Sequence, residues 1–242
     1  MKTYTKQKSK KEKYYNTKIT AKTILVDSTL TEKEEINAII EPFKEKMIAE
    51  INTVISYTPK DLTRTDGYLQ SSLGNLLADL CYDRANPIFK KETGKNIDFA
   101  LFNYGGIRAS INKGKVTNRH AFELMPFENS LVVVELSGDK ILELMDYFIS
   151  NKKAHPLSQQ IQLTLFADDS HQLLIANKKF DATKNYFVLT SDYLQTGGDK
   201  MNFFKEPIQL YKTEYKMRDA IMDEFKSLDT IKAKTDNRVI IK

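Results

Sequence analysis

The stretch from Leu131 to Ser150, LVVVELSGDKILELMDYFIS, changes character at its middle. Leu131 to Leu136 is a β-rich apolar run, Ser137-Gly138-Asp139 reads as a turn, and a helix follows from Lys140 to about Ser150. Strand, turn and helix in direct succession commit the chain to a fold that uses both element types.

Upstream, Ile97 to Phe102 reads as a short, mostly buried strand running straight into Asn103-Tyr104-Gly105-Gly106, and a strand that ends in a glycine turn often marks a site. A helix is predicted from about Leu73 to Ala85, with Leu73, Leu76, Leu77, Leu80 and Cys81 on one face and an end near Asn86-Pro87. Gly74 in its first turn costs about 1 kcal/mol relative to Ala unless close packing or a ligand requires it. Further upstream, Thr31 and Glu34 form a capping box. Ile36, Ile39, Ile40, Phe43, Met47, Ile51 and Val54 then recur at helical spacing over roughly residues 32 to 56. That apolar stripe reads as core, and Pro42 predicts a kink or break near Glu41.

Downstream, Ile161 to Phe166 and Gln172 to Ile175 flank Asp168-Asp169-Ser170 as a hairpin. Phe187 to Thr190 is a further strand, and a helix near Glu214 to Leu228 turns Met217, Ile221 and Phe225 inward. Helices and strands interleave without strict βα alternation. The expected fold class is therefore α/β of the α+β type, with mixed β-sheets covered by helices. No internal repeat or clear linker interrupts it.

At 242 residues and 41% hydrophobic content, the chain can bury roughly 70 to 75% of its unfolded surface. Residues 1 to 22 hold eight lysines and one glutamate, more than the whole net charge of +5, so the remainder is slightly acidic. The basicity belongs to a polar tail that cannot offset its own ordering entropy, which gives a flexible arm over residues 1–28 and a domain over 29–242. With no stacking pattern or arginine in that arm, nucleic acid is not an expected partner. Cys81 is the only cysteine, which excludes an internal disulfide and a cysteine zinc cluster. No apolar run reaches the roughly 18 residues of a membrane span, and no signal-peptide apolar stretch follows Met1.

Three segments, in order, carry a family resemblance. Ser72-Leu73-Gly74-Asn75-Leu76-Leu77-Ala78-Asp79 is the first. Asn103-Tyr104-Gly105-Gly106-Ile107-Arg108, with Met125-Pro126-Phe127-Glu128-Asn129 and Leu131 to Gly138 behind it, is the second. Thr190-Ser191-Asp192-Tyr193-Leu194-Gln195-Thr196-Gly197-Gly198-Asp199 is the third. Together they resemble the C-terminal, nucleotide-binding domain of the 5′-nucleotidase family over about residues 66 to 205.

The resemblance implies that Phe127 and Tyr193 sandwich a base, that Asn103 meets a base edge, and that Asp199 accepts from ribose hydroxyls. It places Arg108 toward ribose or phosphate oxygens and lets Gly105, Gly106 and Gly198 admit close approach. Read alone, Phe127 is an ordinary core residue, Arg108 a surface cation, and Asn103 and Asp199 turn residues. Three positions depart from the family pattern. Tyr104 stands where a further glycine is common, Gly67 where an arginine near the phosphate is expected with Arg64 close by, and Lys200 where glycine is frequent.

In the family, hydrolysis belongs to a separate metallophosphatase domain with two metal ions. His120, His155 and His171 are too few for such a site, and Asp169-Ser170-His171 reads as a polar hairpin tip. No catalytic residue, metal ligand or cofactor is therefore assigned to this chain, with divalent metals expected on the phosphatase domain. The leading expectation is a recognition module for a nucleotide or nucleoside, inactive alone and working with a separately encoded metallophosphatase chain. The resemblance also implies a periplasmic or envelope-attached location. A stand-alone nucleoside- or nucleotide-binding protein, a degenerate structural domain and an autonomous hydrolase with unfamiliar residues are the competing readings.

Overall fold

The computed structural model describes residues 20–168 and 170–242. Most of the lysine-rich arm and Asp169 of the hairpin tip lie outside the described residues. The chain divides into a short unit ending at Glu45 and a large one from Lys46.

In chain order the elements are α1 (Glu34–Ile51), β1 (Val54–Thr58), α2 (Ser72–Thr93), β2 (Phe99–Ala100), β3 (Gly114–Thr117), α3 (Asn118–Leu124), β4 (Ser130–Ser137) and α4 (Gly138–Asn151). Then follow β5 (Ile161–Leu165), β6 (His171–Ile175), β7 (Lys178–Lys179), β8 (Asn185–Ser191), α5 (Asp192–Gln195), β9 (Gln209–Lys216), α6 (Met217–Ser227) and β10 (Val239–Ile241).

One four-stranded sheet has the order β2-β8-β4-β9. β2 runs parallel to β8, while β4 is antiparallel to both β8 and β9, with Val133 opposite Leu189 on one side and Tyr211 on the other. Four consecutive residues of β4, Leu131 to Val134, are buried, so both faces of this central strand are covered. α2 packs against β2, β9 and α6, and α4 against β4 and β8. Phe89 of α2 meets Phe187 at 5.2 Å and Tyr211 at 5.1 Å between ring centroids. The second sheet, β10-β5-β6-β7, joins β10 to β5 in parallel and is otherwise antiparallel. A two-stranded pair, β1 with β3, completes the strands. The mixed sheets covered by helices are those the sequence predicts.

Several boundaries differ from expectation. The first helix stops at Ile51 and runs through Pro42 in one piece, and Val54 to Thr58 forms a strand pairing with β3. None of its residues is buried, so the apolar stripe is not core. Periodicity identifies a two-faced helix but not what covers the apolar face. The second helix continues past Pro87 to Thr93 and ends at Gly94, which takes φ 71 and donates its N–H to the Lys90 carbonyl. Burial of Ala85 and Phe89 on either side of Pro87 outweighs the lost backbone bond. The residues expected to open the last helix, Glu214 to Lys216, instead end β9, whose pairing with β4 takes precedence over helical propensity. α3, β3, β7 and β10 are too short to stand out in the sequence.

Candidate functional site

Three loops at the ends of sheet elements form one wall each. The first leaves β2. Leu101 and Phe102 are buried, and the chain then turns at Asn103 into a single 3-10 turn, Tyr104–Gly106. Arg64 braces this loop, its guanidinium 4.5 Å from the Tyr104 ring centroid while it donates to the Tyr104 and Ile107 carbonyls.

The second wall is Pro126-Phe127-Glu128-Asn129, between α3 and β4. Arg218 of α6 holds it by donating to the Met125 and Phe127 carbonyls, both at 3.4 Å, and by pairing with Glu128. The third follows β8. Ser191 caps α5 by accepting from the Leu194 N–H at 3.3 Å. The chain then passes through Gly197 at φ 92 and two non-glycine residues in the left-handed region, Asp199 at φ 53 and Lys200 at φ 63. Gly198 lies directly under Tyr193, because a Cβ there would fall 2.4 Å from the ring. Only glycine lets that ring approach the backbone so closely.

Between the walls is a cleft of about 270 Å³. Asn103, Gly105, Gly106, Arg108, Phe127, Tyr193 and Asp199 all line it, so seven of the eight residues singled out from sequence meet in one place. Gly198, the eighth, supports Tyr193 from behind. Asn129 also lines the cleft and was missed, since an asparagine before a strand carries no chemical signature of its own.

Phe127 is 41% exposed and Tyr193 44%, which removes the reading of Phe127 as core. Asp199 receives the Asn103 amide at 2.6 Å on one carboxylate oxygen and the Tyr193 hydroxyl at 3.2 Å on the other. Its backbone N–H donates to the same hydroxyl, and its carbonyl accepts from Tyr147 at 2.9 Å. Arg108 lies 5.9 Å from the Phe127 ring centroid and donates to the Gly105 carbonyl. The cleft thus offers two half-exposed aromatic rings, a fixed carboxylate acceptor, a carboxamide and a guanidinium. Its chemistry is that of holding a flat ring bearing hydroxyl groups.

Among the described residues no three His, Cys, Asp or Glu side chains gather as a metal-ligand set. His120 is occupied in capping α3, His155 packs between Tyr147 and Phe148, and His171 starts β6.

Comparison with known proteins bears on the same residues. Residues 48–206 match the family described as 5′-nucleotidase, C-terminal domain. A 5′-nucleotidase of Vibrio parahaemolyticus is 25% identical over 185 residues, covering 73% of this chain and 31% of that protein. The cell wall protein Lmo0130 of Listeria monocytogenes is 28% identical, covering 74% and 25% respectively. The chain therefore spans about a third or less of these relatives. The crystal structure of a 5′-nucleotidase precursor from Thermus thermophilus superposes with a TM-score of 0.68 at 23% identity, over 85% of this chain and 42% of that one.

Proposed function

Since the chain belongs to the 5′-nucleotidase C-terminal domain family, we propose that its cleft holds a nucleoside or nucleotide, the base between Phe127 and Tyr193 and the ribose hydroxyls against Asp199. The observation that carries this reading is the pair of large, half-exposed aromatic rings that line one cleft from two different loops, with a hydrogen-bonded carboxylate beside them. Leaving two such rings open to water is unfavourable in a fold with so much covered apolar surface, and a base between them would restore the contact. Strain points the same way. Two consecutive left-handed residues, each costing about 1–3 kcal/mol, persist where surrounding structure enforces them, and such strain clusters at ligand clamps.

On this reading the chain supplies recognition, and phosphate hydrolysis is carried by metal-bearing groups outside these 242 residues. The nucleotidase name of one relative supports a nucleotide ligand. The cell wall name of another supports an envelope setting. No helix among the described residues is long and apolar enough to cross a membrane.

Calorimetric titration of the purified chain with adenosine and AMP, without metal, tests the proposal. Stacking contributes about 1–3 kcal/mol per base, so a Phe127→Ala, Tyr193→Ala double variant is expected to lose at least tenfold in affinity. Absence of binding by the native chain at millimolar ligand, or equal binding by the variant, would overturn it.

A further inference from the structure

None of the residues of α1 is buried. Ile36, Ile40, Phe43 and Met47 stand at 53, 49, 75 and 52% exposure, with Ile39 at 69% beside them. The spacing of four, three and four residues between the first four puts them on one helix face, as successive a and d positions of a coiled-coil seam. A contiguous apolar face of this kind is unfavourable in water, and no described residue covers it.

The seam is self-complementary. Its spacing reads the same from either end, so two copies of α1 laid antiparallel about a two-fold axis between Glu41 and Pro42 set Ile36 against Met47, and Ile40 against Phe43, of the other copy. The next seam positions, three residues further out at each end, are Lys33 and Glu50. Lys33 stands at the start of the helix, its carbonyl accepting from the Ile36 and Asn37 N–H groups. In the antiparallel register Lys33 faces Glu50 of the second copy at both ends, whereas a parallel pair would oppose lysine to lysine and glutamate to glutamate. Neither side chain has an ion-pair partner among the described residues. Lys44, at the flank of the seam, is already paired with Glu41 at 3.3 Å.

The five exposed side chains offer about 600 Å² of apolar surface per copy, which reaches the low end of the roughly 1,200–2,000 Å² in total that stable interfaces bury. A lipid surface suits the helix less well. α1 holds five glutamates against two lysines, and anionic headgroups repel that charge.

We propose that α1 is a homodimer seam, in which the helices of two copies of this chain pack antiparallel along Ile36, Ile40, Phe43 and Met47 and a Lys33–Glu50 ion pair closes each end. The inference goes beyond the cleft reading and does not depend on it.

Sedimentation equilibrium of the full chain, from about 1 to about 300 μM, tests it. At the upper end the native chain is expected at twice its 27.9 kDa mass, and Phe43→Glu at 27.9 kDa with unchanged circular dichroism. Glu50→Lys turns both end pairs repulsive and should weaken the dimer about tenfold. Adding Lys33→Glu should return the dissociation constant to within about threefold of native. Both reversals place charge in the sense the helix dipole favours, so fraying of α1 does not account for the weakening. A native chain that stays monomeric, or a dimer that survives Phe43→Glu, overturns the proposal. A double variant that dimerises no more tightly than Glu50→Lys overturns it as well, by excluding the antiparallel register.

Discussion

His155 shows how one side chain ties packing to chemistry. Burial, reinforced by the nearby Lys153 charge, pushes its imidazole down to about 4 against the weaker opposing pull of Asp199 and the Phe102 backbone. In the unfolded chain the group returns to about 6.5. Between those values the unfolded state binds a proton that the folded state refuses, so stability falls as pH drops from about 6.5 toward 4. The loss is about 3 kcal/mol for this group alone. Urea unfolding at pH 7 and 4.5 should reveal it, and His155→Gln should remove most of the difference. An unchanged difference in that variant would assign the pH response to other groups. Residues such as His155 and Tyr147 were not legible as supports of the site because no short motif joins them to the glycine turns. They meet those loops from α4 and the segment after it, Tyr147 by donating to the Asp199 carbonyl and His155 by accepting from the Tyr104 N–H, a placement only the folded chain reveals. Asn103 and Asp199 were legible, but their mutual bond at 2.6 Å was not.

At the scale of elements, α2 departs most clearly from local rules. Pro87 is exposed in the interior of a 22-residue helix, where it removes one backbone bond and crowds the preceding turn. Helix continuation is enforced by the burial of Ala85 and Phe89 and by a left-handed glycine at the far end. Pro87→Ala should therefore stabilise the protein by about 1–3 kcal/mol, read as a raised urea midpoint with an unchanged slope. Loss of stability would mean that the proline bend itself is needed for packing. Elements with strong periodicity or long apolar runs, such as α2, α4, β4 and β8, could be placed from sequence because burial writes a regular pattern into them. β9 could not, since QLYKTEYK is half-exposed along its whole length and takes its form from pairing with β4. The exposed stripe of α1 marks the complementary limit, in which a pattern is present and no described residue buries it.

For the molecule as a whole, closure depends on a buried ion cluster near the C-terminal end. Arg238, 5% exposed, donates to Asp79 of α2 and to Asp236 at 2.8 and 2.7 Å, and also to the Leu157 carbonyl. Burial raises the Asp79 carboxyl even against the guanidinium beside it, so stripping the arginine leaves an uncompensated acid. Arg238→Met is expected to cost about 3–5 kcal/mol in chemical denaturation, whereas a surface cation such as Lys226 should be nearly neutral on removal. A small effect at Arg238 would mean that the C-terminal strand is held by its β5 pairing and by the Gln70 side chain, which donates to the Asp236 and Val239 carbonyls. The end of the second sheet has a different consequence. Its outer strand β7 is two exposed lysines long and is reached through a turn with positive φ at both Ala176 and Asn177. A border this short and this charged gives an incoming strand little backbone to pair with and repels it electrostatically. On that side the sheet is protected against edge-to-edge aggregation by its own chemistry.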